Sequence, residues 1–480
     1  MTLPALSFWA RADSLRGMIR TALAAAAAPL LLAAAPAAAQ SQQQALDARY
    51  DLAVAAGYKA LTLCSAVALA ERNGTARTPA SVAQWELNGI QSPHNALVGE
   101  LPFDIIRRPS GQIAYVAVTW ADDMPARYAA YFGPDKGCST FPIGAGAPGD
   151  ASHPAPAEPR WAIQAENALP KRKPAEALTI TIQTALAGDA YGTGARTTAV
   201  VIHSGGTRVG EGYASGFNAD TPQRTWSVAK SIAATLVGAA VRRGAADVNA
   251  GAGLGLSAAD PRRAITVDHL LRMASGRYSD TPGNRTDPLY FGGATVTEVA
   301  LDWPLVAAPG STFRYANNDT LAAVAAIGET FAAHPPAEFF AKLGMRGTVA
   351  ENDWQGGYIL SSQVWATADD LARLGQLYLD GGVLPTGERI LPEGWVKYVT
   401  TPSGPQPPTG TFGYGAGFWL LNREEGVPPD AFAAIGNRGQ YLVIVPSRGV
   451  VIVRRGEDPV GTGFDIAAFT RDVLAALAAR

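Results

Sequence analysis

The sequence predicts an α+β fold: one antiparallel sheet built from both ends of the main domain, with flanking helices and an all-helical subdomain. Two β-rich runs, 197–203 and 208–213, flank a Gly-Gly turn, and further runs return between 415 and 454. What lies between reads mostly as helix. A sheet fed by two distant stretches leaves the helical insert to one side, with a cleft between them.

The N-terminus reads as an export signal. Arg16 and Arg20 precede an apolar run from 21 to 35 that ends in Pro36-Ala37-Ala38-Ala39-Gln40. A basic head, a short apolar core and an Ala-x-Ala exit make residues 1–39 a signal peptide cut after Ala39, with Met18 as an alternative start. The expected destination is across the inner membrane, in the periplasm. No stable membrane anchor is expected once the signal is gone, and no cysteine stands at the cut to carry a lipid.

Residues 40–147 are expected to form a small N-terminal auxiliary domain, with a helix over 45–70 and a strand over 112–118. No catalytic pattern occurs there. Residues 148–174, rich in Pro and Ala, read as a linker, and Lys171-Arg172-Lys173 as a solvated run within it. The main domain is then 175–480. It opens with a helix over 174–187 and closes with strands 415–422, 431–436, 440–445 and 450–454 and a helix over 465–479.

Composition excludes several functions. A net charge of -2 over 480 residues, with no basic cluster, gives no case for nucleic acid. The five histidines are scattered, without His-x-His or His-Glu-x-x-His, so no metal site is expected. No Gly-x-x-x-x-Gly-Lys loop exists for phosphate, no cofactor is implied, and no Gly-x-Ser-x-Gly elbow is present. Cys64 and Cys138 are the only cysteines. In an exported chain that pair suggests one disulfide.

Three stretches carry candidate chemistry. In Trp226-Ser227-Val228-Ala229-Lys230, Ser227 and Lys230 stand at the head of an apolar helix. Residues three apart share a helix face, and burial lowers an amine's pKa, so Lys230 is expected to be neutral near pH 7, with Lys230 or Tyr315 as the base that takes the serine proton. Only seven lysines occur, and Lys230 alone has Ser three residues before it. The second stretch, Tyr315-Ala316-Asn317, offers a phenol and an amide before a helix over 321–331, or else a plain surface turn. The third, Gly436-Asn437-Arg438-Gly439-Gln440, lets backbone approach a substrate at a strand end, or else is a tight turn. The loops 277–293 and 354–358 carry Asp280, Tyr290 and Trp354, read first as solvated positions and second as substrate contacts.

Taken together the three stretches resemble the serine β-lactamase and penicillin-binding superfamily. Within it the chain is similar to β-lactamase-related esterases and the 6-aminohexanoate-dimer hydrolase group. His269-Leu270-Leu271-Arg272-Met273-Ala274-Ser275-Gly276, Pro309-Gly310-Ser311-Thr312-Phe313-Arg314-Tyr315, Ala366-Thr367-Ala368-Asp369-Asp370-Leu371-Ala372-Arg373 and Gly413-Tyr414-Gly415-Ala416-Gly417-Phe418-Trp419 support it, over about 175 to 480. The resemblance implies Ser227 as acylated nucleophile, Lys230 as its activating partner and Tyr315 as proton shuttle. It implies backbone N–H groups of Ser227 and Gln440 as the oxyanion hole, and Asn317, Asn437 and Gly439 at the substrate. The partner would be a small ester or amide; the oligomeric state stays open. One departure stands out. Where the family's third motif begins with Lys or His, this chain has Asn437, and only Arg438 is at hand as a replacement cation. That speaks against a penicillin-recognising β-lactamase or D-peptidase. A non-catalytic binding protein on the same scaffold is the other rival.

Overall fold

The computed structural model describes residues 15–149, 170–280 and 286–479. Most of the expected linker, the first residues of the expected signal and part of the 277–293 loop lie outside them. The chain divides into two compact units, Met1–Leu52 and Ala53–Arg480. In the first, the described residues belong to helix α1 (Leu15–Arg72). There the Gln43 amide donates to Asp47 Oδ1 at 2.7 Å, one turn on. The second unit contains both the rest of the stretch expected as an auxiliary domain and the sheet domain.

Residues 53–70 of α1 are buried on every side. By length and composition the part of α1 from Gln40 to Arg72 could cross a membrane, but a helix apolar all round and buried in protein is a core helix. Short helices α2 (Pro79–Gln84) and α3 (His94–Leu97) follow it. Next comes a four-stranded antiparallel meander, β1 (Phe103–Arg107), β2 (Ile113–Val118), β3 (Arg127–Tyr131) and β4 (Cys138–Thr140). Only β2 is visible as a pattern in the sequence. The Lys59 ammonium ties α1 to the carbonyls of Val98 and Leu101, each at 2.7 Å.

The expected disulfide is formed: Cys64 of α1 and Cys138 of β4 are bonded, with Cα atoms 6.1 Å apart. Closing a loop of sequence separation 74 removes denatured-state entropy worth about 4 kcal/mol. The Cys64→Ala, Cys138→Ala double variant should therefore lose about that much stability, read from the urea midpoint of the oxidised wild type against the variant.

The main sheet has seven antiparallel strands in the order β10-β11-β12-β13-β14-β5-β6. They are β5 (Thr197–Ser204), β6 (Thr207–Tyr213), β10 (Gly413–Tyr414), β11 (Trp419–Leu420), β12 (Phe432–Gly436), β13 (Gln440–Val445) and β14 (Val450–Gly456). Both chain ends thus feed one sheet, with β14 beside β5, as the pattern predicts. Of the stretch expected as a strand over 415–422, only Trp419–Leu420 is strand, as β11, and 415–418 form the turn that joins it to β10. Successive side chains point to opposite faces. Val200 and Ile202 enter one core with helices α4 (Glu176–Leu186) and α12 (Ile466–Ala478). Ala199 and Val201 enter the other.

That second core holds the helical insert. It comprises α5 (Val228–Arg242), α6 (Val267–Leu271), α7 (Asp287–Tyr290), α8 (Asn317–Ala326), α9 (Pro336–Leu343), α10 (Ala368–Leu379) and α11 (Trp395–Thr400). A small sheet of β7 (Gln223–Arg224), β9 (Val364–Ala366) and β8 (Val349–Ala350) links it to the head of α5. Helix α8 starts four residues earlier than the pattern suggests. That puts Asn317 in its first turn, two residues past Tyr315.

Candidate functional site

Helix α5 is the centre of the insert. Residues 228–240 are all buried, so the apolar run that defines the helix also takes Lys230 out of water, leaving it 2% exposed. Ser227 stands at the N-cap, half-buried, with its side chain free of any capping hydrogen bond. Trp226 just before it adopts a left-handed backbone, φ 49°. That conformation costs of order 1–3 kcal/mol for a bulky residue and persists only where the surroundings hold it. The buried Arg224 guanidinium lies 3.7 Å from the Trp226 ring and donates to Ser362 Oγ at 2.7 Å. It is a brace that no motif announces.

The Lys230 amine makes three contacts: Ser227 Oγ at 3.0 Å, Asn317 Oδ1 at 2.6 Å and the Ser361 carbonyl at 3.0 Å. Burial pulls its pKa down to about 7, with the Asp280 charge opposing. A neutral amine has two N–H groups and one lone pair. Asn317 and Ser361 accept the two N–H groups, so the lone pair is left facing the serine hydroxyl. Asn317, expected at the substrate, is thus spent on Lys230, and its other end donates to Thr286 Oγ1 at 3.1 Å.

Tyr315 completes the cluster. Its ring centroid is 5.0 Å from the Lys230 nitrogen. Burial pushes the phenol up to about 12, with the polar Ser227 and Trp419 side chains beside it pulling the other way. Tyr414 and Trp419 pack on it at 6.2 and 5.4 Å. At neutral pH the site therefore holds a protonated phenol beside an amine near its midpoint.

The third stretch behaves differently. Gly436 ends β12 against Ser227: a Cβ there would strike the Thr225 carbonyl and lie 3.1 Å from the Ser227 nitrogen. Gln440 is its partner on the next strand. The Gln440 side chain turns into the core, to the Gly456 carbonyl and to Arg455 Nε at 2.6 Å. The strand backbone set against Ser227 is thus that of Gly436, which is followed by the Asn437 amide. The Asn437 side chain is exposed and folds onto its own turn, accepting from the Arg438 N–H at 2.9 Å. A side chain at Gly439 would strike the Arg454 guanidinium and the Asp458 carboxylate, so packing requires that glycine. Arg438 does not replace the missing cation. It is 4% exposed and directed away, donating to the carbonyls of Trp85 and Asn88 at 2.8 Å each.

Of the loop residues, Tyr290 is buried rather than solvated, and its hydroxyl meets Ser361 Oγ at 2.7 Å, one link behind Lys230. Asp280 Oδ2 accepts from the Asn318 N–H at 2.9 Å at the start of α8. Trp354 lines a separate cavity of about 650 Å³ with Phe132, Phe331 and Tyr358. No cluster of three or more metal-ligating side chains occurs among the described residues.

Comparison with known proteins places this arrangement. The model of the Beta-lactamase family matches residues 182–476. The 6-aminohexanoate-dimer hydrolase of Paenarthrobacter ureafaciens is 33% identical over 116 residues, which is 22% of this chain and only 28% of that protein. Among solved structures, a Bacillus anthracis protein assigned as a 6-aminohexanoate-dimer hydrolase superposes with a TM-score of 0.53 at 22% identity, over 65% of this chain and 87% of that one. A Bacteroides dorei protein assigned as a β-lactamase gives 0.50 at 18% identity, over 63% and 98%. At these identities the superpositions show a shared fold.

Proposed function

The chain belongs to the beta-lactamase family of serine hydrolases, and from that premise we propose that it cleaves a small amide or ester through an acyl-enzyme on Ser227. One observation carries the reading: a buried amine with pKa near 7, both of whose N–H groups are engaged, sits 3.0 Å from the serine hydroxyl. Ser227 Oγ attacks the carbonyl carbon as its proton passes to Lys230, and the carbonyl electrons move onto oxygen. The Ser227 N–H and an N–H from the end of β12 or the start of β13, Asn437 or Gln440, receive that oxyanion. As the C–N or C–O bond breaks, Tyr315 gives its proton to the leaving atom and recovers one from the Lys230 ammonium. Water then repeats the sequence on the ester of Ser227.

The withdrawal of Arg438 leaves no cation at the third stretch to grip a β-lactam carboxylate, which favours neutral esters and amides over penicillins. The name of the Paenarthrobacter relative favours an amide. A chromogenic short-chain ester and the matching anilide, assayed with wild type and Ser227→Ala, test the reading. Equal rates for the two proteins would sink it, in favour of a binding protein. Replacing Tyr315 by Phe should slow the anilide by about 100-fold and the ester much less, since an amine needs a proton to leave and a nitrophenolate does not. Export by residues 1–39 is part of the proposal, and a secreted chain beginning at Gln40 would support it.

A further inference from the structure

The turn that joins β12 to β13 is held by a segment outside the family match. Arg438 has a left-handed backbone, φ 56°, a conformation that a residue with a Cβ keeps only where its surroundings hold it. Its guanidinium reaches across to the loop after α2. There Nη2 takes the carbonyls of Trp85 and Asn88, while Nε pairs with the buried Glu457 at 2.9 Å. The same loop is caught at two further carbonyls. Arg196 Nη2 donates to Gln84 O at 2.6 Å, with its guanidinium 4.5 Å from the Trp85 ring. The Val460 N–H donates to Gly89 O at 2.7 Å. The carbonyls of Trp85, Asn88 and Gly89 thus face the ends of β12 to β14, while that of Gln84 faces the start of β5, and β12 is the strand whose Gly436 lies against Ser227.

We propose that Arg438 is a positioning residue, and that residues 79–98 act as a strap that sets the β12–β13 turn against the nucleophile. The strap converts an arginine beside the site, which would otherwise be free to meet substrate, into the anchor of the oxyanion-side backbone. Its consequence for catalysis rests on the acyl-enzyme reading; its consequence for the turn does not. A backbone donor moved by about 1 Å costs about 100-fold in rate, whereas substrate affinity set elsewhere in the cleft is spared.

Two variants test it. Arg438→Met removes the anchor, and Trp85→Ala loosens the strap while leaving every residue of the turn intact. The second guards against the misfolding that an unpaired buried Glu457 can cause. Hydrogen exchange of the peptide covering 436–440 should speed at least tenfold in both, while peptides of α12 keep their protection. With a neutral ester, at a temperature where each variant is folded, kcat should fall about 10- to 100-fold with KM within about threefold. Arg438→Lys should fall between wild type and Arg438→Met. Unchanged exchange at 436–440 in folded Trp85→Ala overturns the strap, as does a kcat loss that merely follows the fraction folded. If wild type shows no turnover dependent on Ser227, the acyl-enzyme reading fails alone, and the exchange result still decides the strap.

Discussion

Lys230→Ala should lower kcat/KM at pH 8 by about 1,000- to 10,000-fold, the scale of a lost general base whose partner cannot act alone. The variant should stay folded, because removing an amine from an apolar helix leaves a small void, and the acceptors it abandons, Asn317 Oδ1 and the Ser361 carbonyl, adjoin a half-buried site that water reaches. Wild type supplies the companion result. Only the neutral amine accepts the serine proton, so with a pKa near 7 kcat/KM should fall about tenfold per pH unit below that point and level off above it. Tyr315, held up to about 12, stays protonated throughout and contributes no alkaline limb below that. A profile flat from pH 8 down to pH 4 would remove Lys230 from the base role. So would a Lys230→Ala enzyme with the activity of wild type.

Much of this site is legible in the residues themselves. Ser227 and Lys230 are three apart at the head of an unbroken apolar run, and such a run on a helix can only be buried. The lysine's depressed pKa follows from that pattern alone. The two-ended sheet is legible for a similar reason, since period-two β runs at 197–213 and 431–454 must pair somewhere. Other features are not legible, because periodicity reports which face is covered and never by what. Asn317 looks like a substrate contact until α8 is seen to start at that residue and turn its amide to Lys230. Arg438 looks like a spare cation because a guanidinium on a tight turn can point either way. The acceptors that decide the matter are the backbone carbonyls of Trp85 and Asn88, which leave no mark in the sequence. The meander escapes notice where β1, β3 and β4 are too short or too mixed for alternation to show. Tyr290 reads as a loop residue because the four-residue α7 that carries it is too short to show a period.

Glu351→Ala should cost about 5 kcal/mol of stability, because it orphans three buried donors at about 1–3 kcal/mol each. Glu351 is the bolt between α1, the disulfide strand and the small sheet that leads into the head of α5. Its Oε1 accepts from Ser65 Oγ at 2.7 Å and from the Cys138 N–H at 2.8 Å, and its Oε2 from the Trp365 indole at 3.0 Å. Glu351→Gln should recover part of the loss. Its amide oxygen can still serve Ser65 and Cys138, while its NH2 then faces the indole N–H, donor to donor. The effect also has a sign in pH. Burial raises the Glu351 carboxyl from 4.5 to about 7 in the folded chain. The folded state therefore binds this proton more tightly than the unfolded one. That stabilisation is fully present below about pH 4.5 and is lost as pH rises through about 7. The gap in unfolding free energy between wild type and Glu351→Ala should accordingly narrow from pH 5 to pH 8 in urea titrations. A gap that widened would mean that the three donors hold an ionised carboxylate, with their hydrogen bonds outweighing its burial.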